Sequence, residues 1–281
     1  MDVIKTLKDV LVFRDDNGVQ TAQKGTTCKL VQDGRQRYIE KSWISGDWVF
    51  PADYEYGVEK RVYNVANELG LPVPILLDCD DVKKTLLIEF IEGERVQHPC
   101  SNKRHLLAVL GFFDAFRQIT FSPSIQLYKM DGEAIHKYRL DQLHFIFPEG
   151  DVWQRIDSLY ESFLEDIPYC SLPFDRILKN TIASGDGLVF IDFEWTIAGS
   201  HEFTLARTAI EFNEYEHPEI LSRVESMDLY HLFLLRFYMY GQEPELVHAY
   251  LRANLRDKAL CELLDIINAH KYADKPWCSS S

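Results

Sequence analysis

An aspartate, an asparagine five residues later, and an aspartate ending an apolar run are the residues of this chain best suited to chemistry. Asp175 and Asn180 stand in Pro173-Phe174-Asp175-Arg176-Ile177-Leu178-Lys179-Asn180. Asp192 comes next in Gly187-Leu188-Val189-Phe190-Ile191-Asp192-Phe193-Glu194-Trp195. A loop with this step can turn one carboxylate toward an acceptor hydroxyl and carry the amide back toward a metal ion. The step alone matches by chance, and its weight comes from the residues on its C-terminal side. Gly185-Asp186-Gly187 is a turn signal, and residues 188–191 read as a short buried strand. A carboxylate ending such a strand is costly without a partner, and Mg²⁺ is a sufficient one. The chemistry that would use this set is phosphoryl transfer from a nucleotide.

Two further residues suit the same chemistry. Lys41 lies near the end of the strand-like run Tyr38-Ile39-Glu40-Lys41-Ser42-Trp43. A lysine on a half-buried strand can reach nucleotide phosphates if a carboxylate holds it in place and keeps it charged. Glu59, on the helix expected next, is the candidate partner, and Glu55 is its rival. Glu194 could add a metal contact or form a salt bridge.

The elements that must position these residues are legible in outline. Strands are expected at residues 10–13, 26–31 and 37–43, with Asp33-Gly34 as a hairpin turn that needs a positive φ. Val58, Val62, Val65, Ala66 and Leu69 recur at helical spacing over residues 54–70, with Gly70 as the stop and Pro72 and Pro74 beyond it. Residues 75–77 and 85–91 read as two more strands, with Asp80-Asp81 in the turn. From residue 101 the chain turns helical: 103–119, an amphipathic stretch from Val152 to Leu164, 203–212, 229–240, 244–254 and 257–269. Residues 120–150 fit neither pattern.

Composition narrows the function class. The 281 residues carry a net charge of −14, which opposes a basic nucleic-acid face or a general attraction to anionic lipid. Six scattered cysteines without a CxxC pair suit neither a zinc site nor a disulfide scaffold. The opening MDVIKTLKDVLVF lacks the apolar core of a signal peptide. The run 229–240 is too short to span a bilayer and contains His231 and Arg236, so it reads as a core helix. A cytoplasmic protein without an integral membrane segment is expected.

These motifs together resemble the protein-kinase-like superfamily on its small-molecule side. EKRVYNVANELGLPVP, from Glu59 to Pro74, resembles the Glu-bearing helix and its exit in aminoglycoside and choline phosphotransferases. LLIEFIEGE, from Leu86 to Glu94, resembles the strand leading into their hinge, and IDFEW resembles the IDFEY of choline-kinase-like enzymes. The DxxxxN and IDxEW pattern also resembles kinase-like domains of bacterial surface-polysaccharide synthesis, in which Arg207 has counterparts. The resemblance spans residues 10–212 and departs from the pattern twice. Pro173 replaces the usual histidine, and only Lys24-Gly25-Thr26-Thr27 stands where protein kinases carry a glycine-rich loop.

The resemblance implies a two-lobed α+β fold, with a small β-rich N-lobe over residues 1–93 and a larger helical C-lobe over 94–281. It implies ATP and Mg²⁺ as cofactors, Asp175 as the catalytic residue, Asn180 and Asp192 as metal ligands, and Lys41, held by Glu59, on the nucleotide phosphates. The implied acceptor is a hydroxyl of a sugar or surface-glycan saccharide. An amino alcohol or aminoglycoside is the alternative, for which the acidic cluster Glu211, Glu214, Glu216 and Glu219 would suit a cation. A kinase-like pseudoenzyme that binds nucleotide without turnover is a third reading.

Overall fold

The computed structural model describes residues 2–6, 26–44, 50–97, 99–121, 123–130, 151–164, 169–175, 177–185, 187–239 and 244–273. They form two compact units. One comprises Met1–Gln97, Asp114–Tyr128 and Pro173–Ile197, and the other His98–Phe113, Lys129–Leu172 and Ala198–Ser281.

The first unit is built on a five-stranded sheet. Its strands are β1 (Asp2–Thr6), β2 (Thr26–Asp33), β3 (Gln36–Trp43), β4 (Leu76–Asp80) and β5 (Thr85–Glu89), in the order β1-β2-β3-β5-β4. All neighbours are antiparallel. The β2–β3 hairpin turns at Gly34, whose φ of 60° is the left-handed value expected of that turn. The strand expected at 10–13 lies outside the described residues. β1 was not expected: Val3 and Ile4 are adjacent, so its five residues show no apolar–polar alternation.

Helix α1 (Ala52–Glu68) comes after β3 and packs on β3 and β4. Val58, Val62, Val65 and Ala66 form its buried stripe, as their spacing predicts. Gly70, with φ 68°, ends it, and Leu71 N–H caps the carbonyl of Ala66 at 2.8 Å. The helix is therefore displaced by two residues at each end from the expected 54–70.

The chain continues through β6 (Glu94–Arg95), α2 (Lys103–Phe116), α3 (Asp151–Phe163) and β7 (Cys170–Pro173). A short 3₁₀ turn (Leu178–Asn180) leads into the hairpin β8 (Thr181–Ser184) and β9 (Gly187–Phe190), then β10 (Thr196–Gly199). β6, β8 and β9 form one small sheet, and β7 pairs with β10. Gly93 is required before β6, because a Cβ there would overlap the carbonyl oxygen of Ala183 on β8.

The second unit is helical. α4 (His201–Phe212), α5 (Pro218–Leu221), α6 (Met227–Met239), α7 (Pro244–Asn254) and α8 (Lys258–Ala273) complete the described chain. α6 is the 229–240 run, and all its residues from Leu229 to Met239 are buried, as expected of a core helix. It packs against α3, α4, α7 and α8. No helix among the described residues is long and apolar enough to cross a membrane.

His231 on α6 gives this unit an acid-sensitive point. Its ring faces the Tyr250 hydroxyl at 3.2 Å, and burial, aided by the charge of Arg256, pushes its pKa down to about 4. The folded state therefore holds His231 neutral, and the unfolded chain takes up a proton first as pH falls. The contribution is present above pH 6.5 and is lost toward pH 4. Stability should drop by about 2 kcal/mol between pH 7.5 and pH 5 from this group. In His231→Gln, denaturant titrations at the two pH values should lose about that part of their difference.

Candidate active site

Every site residue expected from the sequence falls in the first unit. Lys41 comes from β3, flanked by β2 and β5 with Cys28 and Leu86 as its register partners. Its side chain is buried, and its amine meets Glu59 of α1 at 2.6 Å. Glu55, one turn earlier, is equally buried, yet Glu59 is the partner. The same amine reaches Asp192 at 2.6 Å and Glu194 at 3.1 Å.

Asp192 is positioned by two backbone ties. The β8–β9 hairpin pairs Thr181 with Phe190, and Ile191 N–H then donates to the Asn180 carbonyl at 2.9 Å. The 3₁₀ turn and the segment entering Asp192 are thus one hydrogen-bonded piece. On the outer side, Phe174 N–H donates to the Trp195 carbonyl at 2.9 Å. Between these ties Asp192 adopts φ 69°, a left-handed backbone that aspartate tolerates better than most residues. Its N–H points to the Tyr63 hydroxyl at 3.4 Å, one helical turn beyond Glu59.

Asp175, Asn180 and Asp192 line a single pocket, together with Phe174, Ile177, Phe193 and Trp195. The Asn180 amide nitrogen lies 3.4 Å from Asp175 Oδ2. The amide carbonyl oxygen therefore faces away from Asp175, and that oxygen is what a hard cation would use. Lys179 meets the same Asp175 oxygen at 3.3 Å.

Three carboxylates around one ammonium shape the electrostatics. Burial alone would lower the Lys41 pKa, but Asp192, Glu194 and Glu59 outweigh it and hold the amine well above its usual value. Burial raises Glu59 and Glu194, and Lys41 only partly offsets it. Asp192 goes the other way: burial opposes ionisation, but Lys41 keeps its carboxyl below the usual range. Asp192 is thus the carboxylate favoured as an anion. Glu59, Asp192 and Glu194 each offer an oxygen within 4.8 Å of the others, so oxygen donors for a divalent cation are concentrated here. With the Asn180 carbonyl at the same pocket, the residues fit Mg²⁺.

Three residues were not singled out from sequence. Trp43, two positions after Lys41, shares its face of β3 and donates its indole N–H to Glu194 at 3.1 Å. Tyr63 is four residues after Glu59, on the same helix face. Lys179 directly precedes Asn180. Strand and helix periodicity could have flagged the first two. The acidic cluster, by contrast, lies in the second unit, where two of its members are paired locally. Glu211 is buried on α4, Glu216 accepts from Asn254 at 3.1 Å, and Glu219 pairs with Arg223 at 3.0 Å. Arg207 lies over the rings of Phe203 and Phe237, at 5.0 and 4.8 Å. Lys24 and Gly25 lie outside the described residues.

No protein-family model matches the sequence, and no curated protein matches it either. Solved structures do. Choline kinase LicA from Streptococcus pneumoniae superposes with a TM-score of 0.53 at 18% identity, over 95% of this chain and 96% of that one. This chain has a kinase-like fold. An aminoglycoside phosphotransferase, APH(4)-Ia in ternary complex with AMP-PNP and hygromycin B, gives 0.51 at 14% identity, covering 92% and 93%. An ethanolamine kinase from Plasmodium vivax gives 0.50 at 13%, covering 89% and 80%. The kinase-like fold expected from short motifs thus extends over 95% of this chain in the superposition on the choline kinase.

Proposed function

We propose that this chain is an ATP- and Mg²⁺-dependent phosphotransferase acting on a hydroxyl of a small molecule. The observation that supports it most is the convergence of Lys41, Glu59 and Asp192 into one ion-paired cluster beside Asp175 and Asn180. Residues 1–93 would hold the nucleotide, and 94–281 would carry the catalytic loop, the metal and the acceptor. The similar aminoglycoside phosphotransferase crystallised with AMP-PNP favours a nucleotide donor. A cytoplasmic location, where ATP is available, goes with this reading.

In this mechanism the acceptor oxygen attacks the γ-phosphorus and the bond to the β–γ bridging oxygen breaks. Asp175 orients the acceptor hydroxyl and takes its proton as the new bond forms. Lys41, held by Glu59, offsets charge on the α- and β-phosphates. Asp192 and Asn180 are the donors that would hold Mg²⁺, which when bound neutralises the β- and γ-phosphate oxygens. Most of the acceleration comes from positioning and fixed charge.

The acceptor proposed is a sugar or surface-glycan saccharide, in keeping with the DxxxxN and IDxEW pattern. A second reading, an amino alcohol, is favoured by a specific observation. Trp195 and Phe174 lie beside Asp175 in the pocket, with ring centroids 6.5 Å apart, and aromatic faces attract cationic head groups. The chain's negative charge favours the same ligand.

The test is calorimetric titration with Mg-ATP, then a phosphate-transfer screen over monosaccharides, lipooligosaccharide fragments, choline, ethanolamine and aminoglycosides. Metal-dependent nucleotide binding and transfer to one class are expected. Binding with no transfer to any of them would turn the assignment to a pseudoenzyme, and absence of binding would end it.

A further inference from the structure

We infer that Lys179 is a further catalytic residue, placed to contact the phosphoryl group as it passes from nucleotide to acceptor. The inference rests on the phosphotransferase reading above. Lys179 stands on the 3₁₀ turn between the carboxylate assigned to the acceptor and the amide assigned to the metal. Its amine lies 3.3 Å from Asp175 Oδ2, the oxygen that also faces the Asn180 amide. It therefore sits beside the carboxylate assigned to the acceptor, while Lys41 meets Glu59, Asp192 and Glu194.

The charges support the same placement. In a chain of net charge −14, cations from three elements lie near enough to act on Asp192, shared with Glu59, Glu194 and Asp175. They are Lys41 on β3, Lys179 on the 3₁₀ turn and Arg95 on β6. The Lys179 side chain is 41% exposed on a flexible stem, so it can leave Asp175 for a more highly charged oxygen. In a loose transition state negative charge spreads over the equatorial phosphoryl oxygens, and a cation beside the acceptor meets it there.

A plain surface ion pair with Asp175 would have no role in turnover. Lys179→Ala and Lys179→Arg separate the two. The probes are Mg-ADP alone, Mg-ADP with aluminium fluoride as a stand-in for the transferring phosphoryl, and Mg-ATP turnover with water or a screened acceptor. Lys179→Ala should bind Mg-ADP as the parent does, lose the added affinity that aluminium fluoride gives, and turn over on the order of 10²-fold more slowly. Its melting temperature should stay within a few degrees of the parent, and Lys179→Arg should recover most of the rate. If the parent turns over and Lys179→Ala matches it in rate and aluminium-fluoride affinity, Lys179 is only Asp175's surface partner. That result leaves the phosphotransferase reading standing. If the parent itself neither binds Mg-ADP nor hydrolyses or transfers phosphate, both readings fall.

Discussion

Asp192→Asn should reduce phosphoryl transfer by about 10²- to 10³-fold and weaken Mg-nucleotide binding, with the fold kept intact. The substitution replaces an anionic oxygen by an amide while preserving size. Asparagine also tolerates the left-handed backbone at φ 69°, so the main chain need not move. Lys41 keeps Glu59 at 2.6 Å and Glu194 at 3.1 Å, which prevents a stranded buried ammonium. The loss should therefore appear as a steep rise in the magnesium concentration needed for nucleotide binding, with near-parent thermal stability. A variant with the parent's rate and metal dependence would remove Asp192 from the site.

Asp175→Ala should show the opposite division. Asp175 touches Lys179 and Asn180, whereas Lys41 is held by Glu59, Asp192 and Glu194. Nucleotide affinity should therefore stay close to the parent's. Transfer should fall by ~10²- to 10⁴-fold, the range for an orienting or general-base group. Where the transition state is loose, most of that loss reflects acceptor orientation and little reflects proton removal. Nucleotide titration beside a transfer assay measures both quantities on the same sample. Normal transfer by this variant would overturn the role given to the five-residue step between Asp175 and Asn180.

How far the sequence led depends on the length of each signal. α1 was visible because its apolar residues repeat at helical spacing over several turns, and α6 because a long, mostly apolar run reads as a core helix. β6, β7, β8 and β10 have two to four residues each, too few for any period to register. Yet these fragments aim the site: the β8–β9 hairpin brings Asn180 against Ile191, and the tie from Phe174 to Trp195 closes the other side. The Lys41–Glu59 pairing was legible because strand, helix and charge occur in that order. Glu59 is the partner, as expected over Glu55, although both glutamates are fully buried on one helix and the sheet's position is what separates them. Spacing does not reveal that Glu194 joins the same ammonium, because that contact joins residues far apart in the chain.

The backbone at Asp192 also bears on how such a chain could lose its activity. A left-handed residue that is not glycine is held by its surroundings at some conformational cost. Glycine at this position would relax that cost, and Lys41 would still keep two carboxylate partners. An inert descendant with glycine there would stay folded. Selection on folding alone would give the carboxylate no protection, so under the proposed function decay into a well-folded pseudoenzyme lies one substitution away.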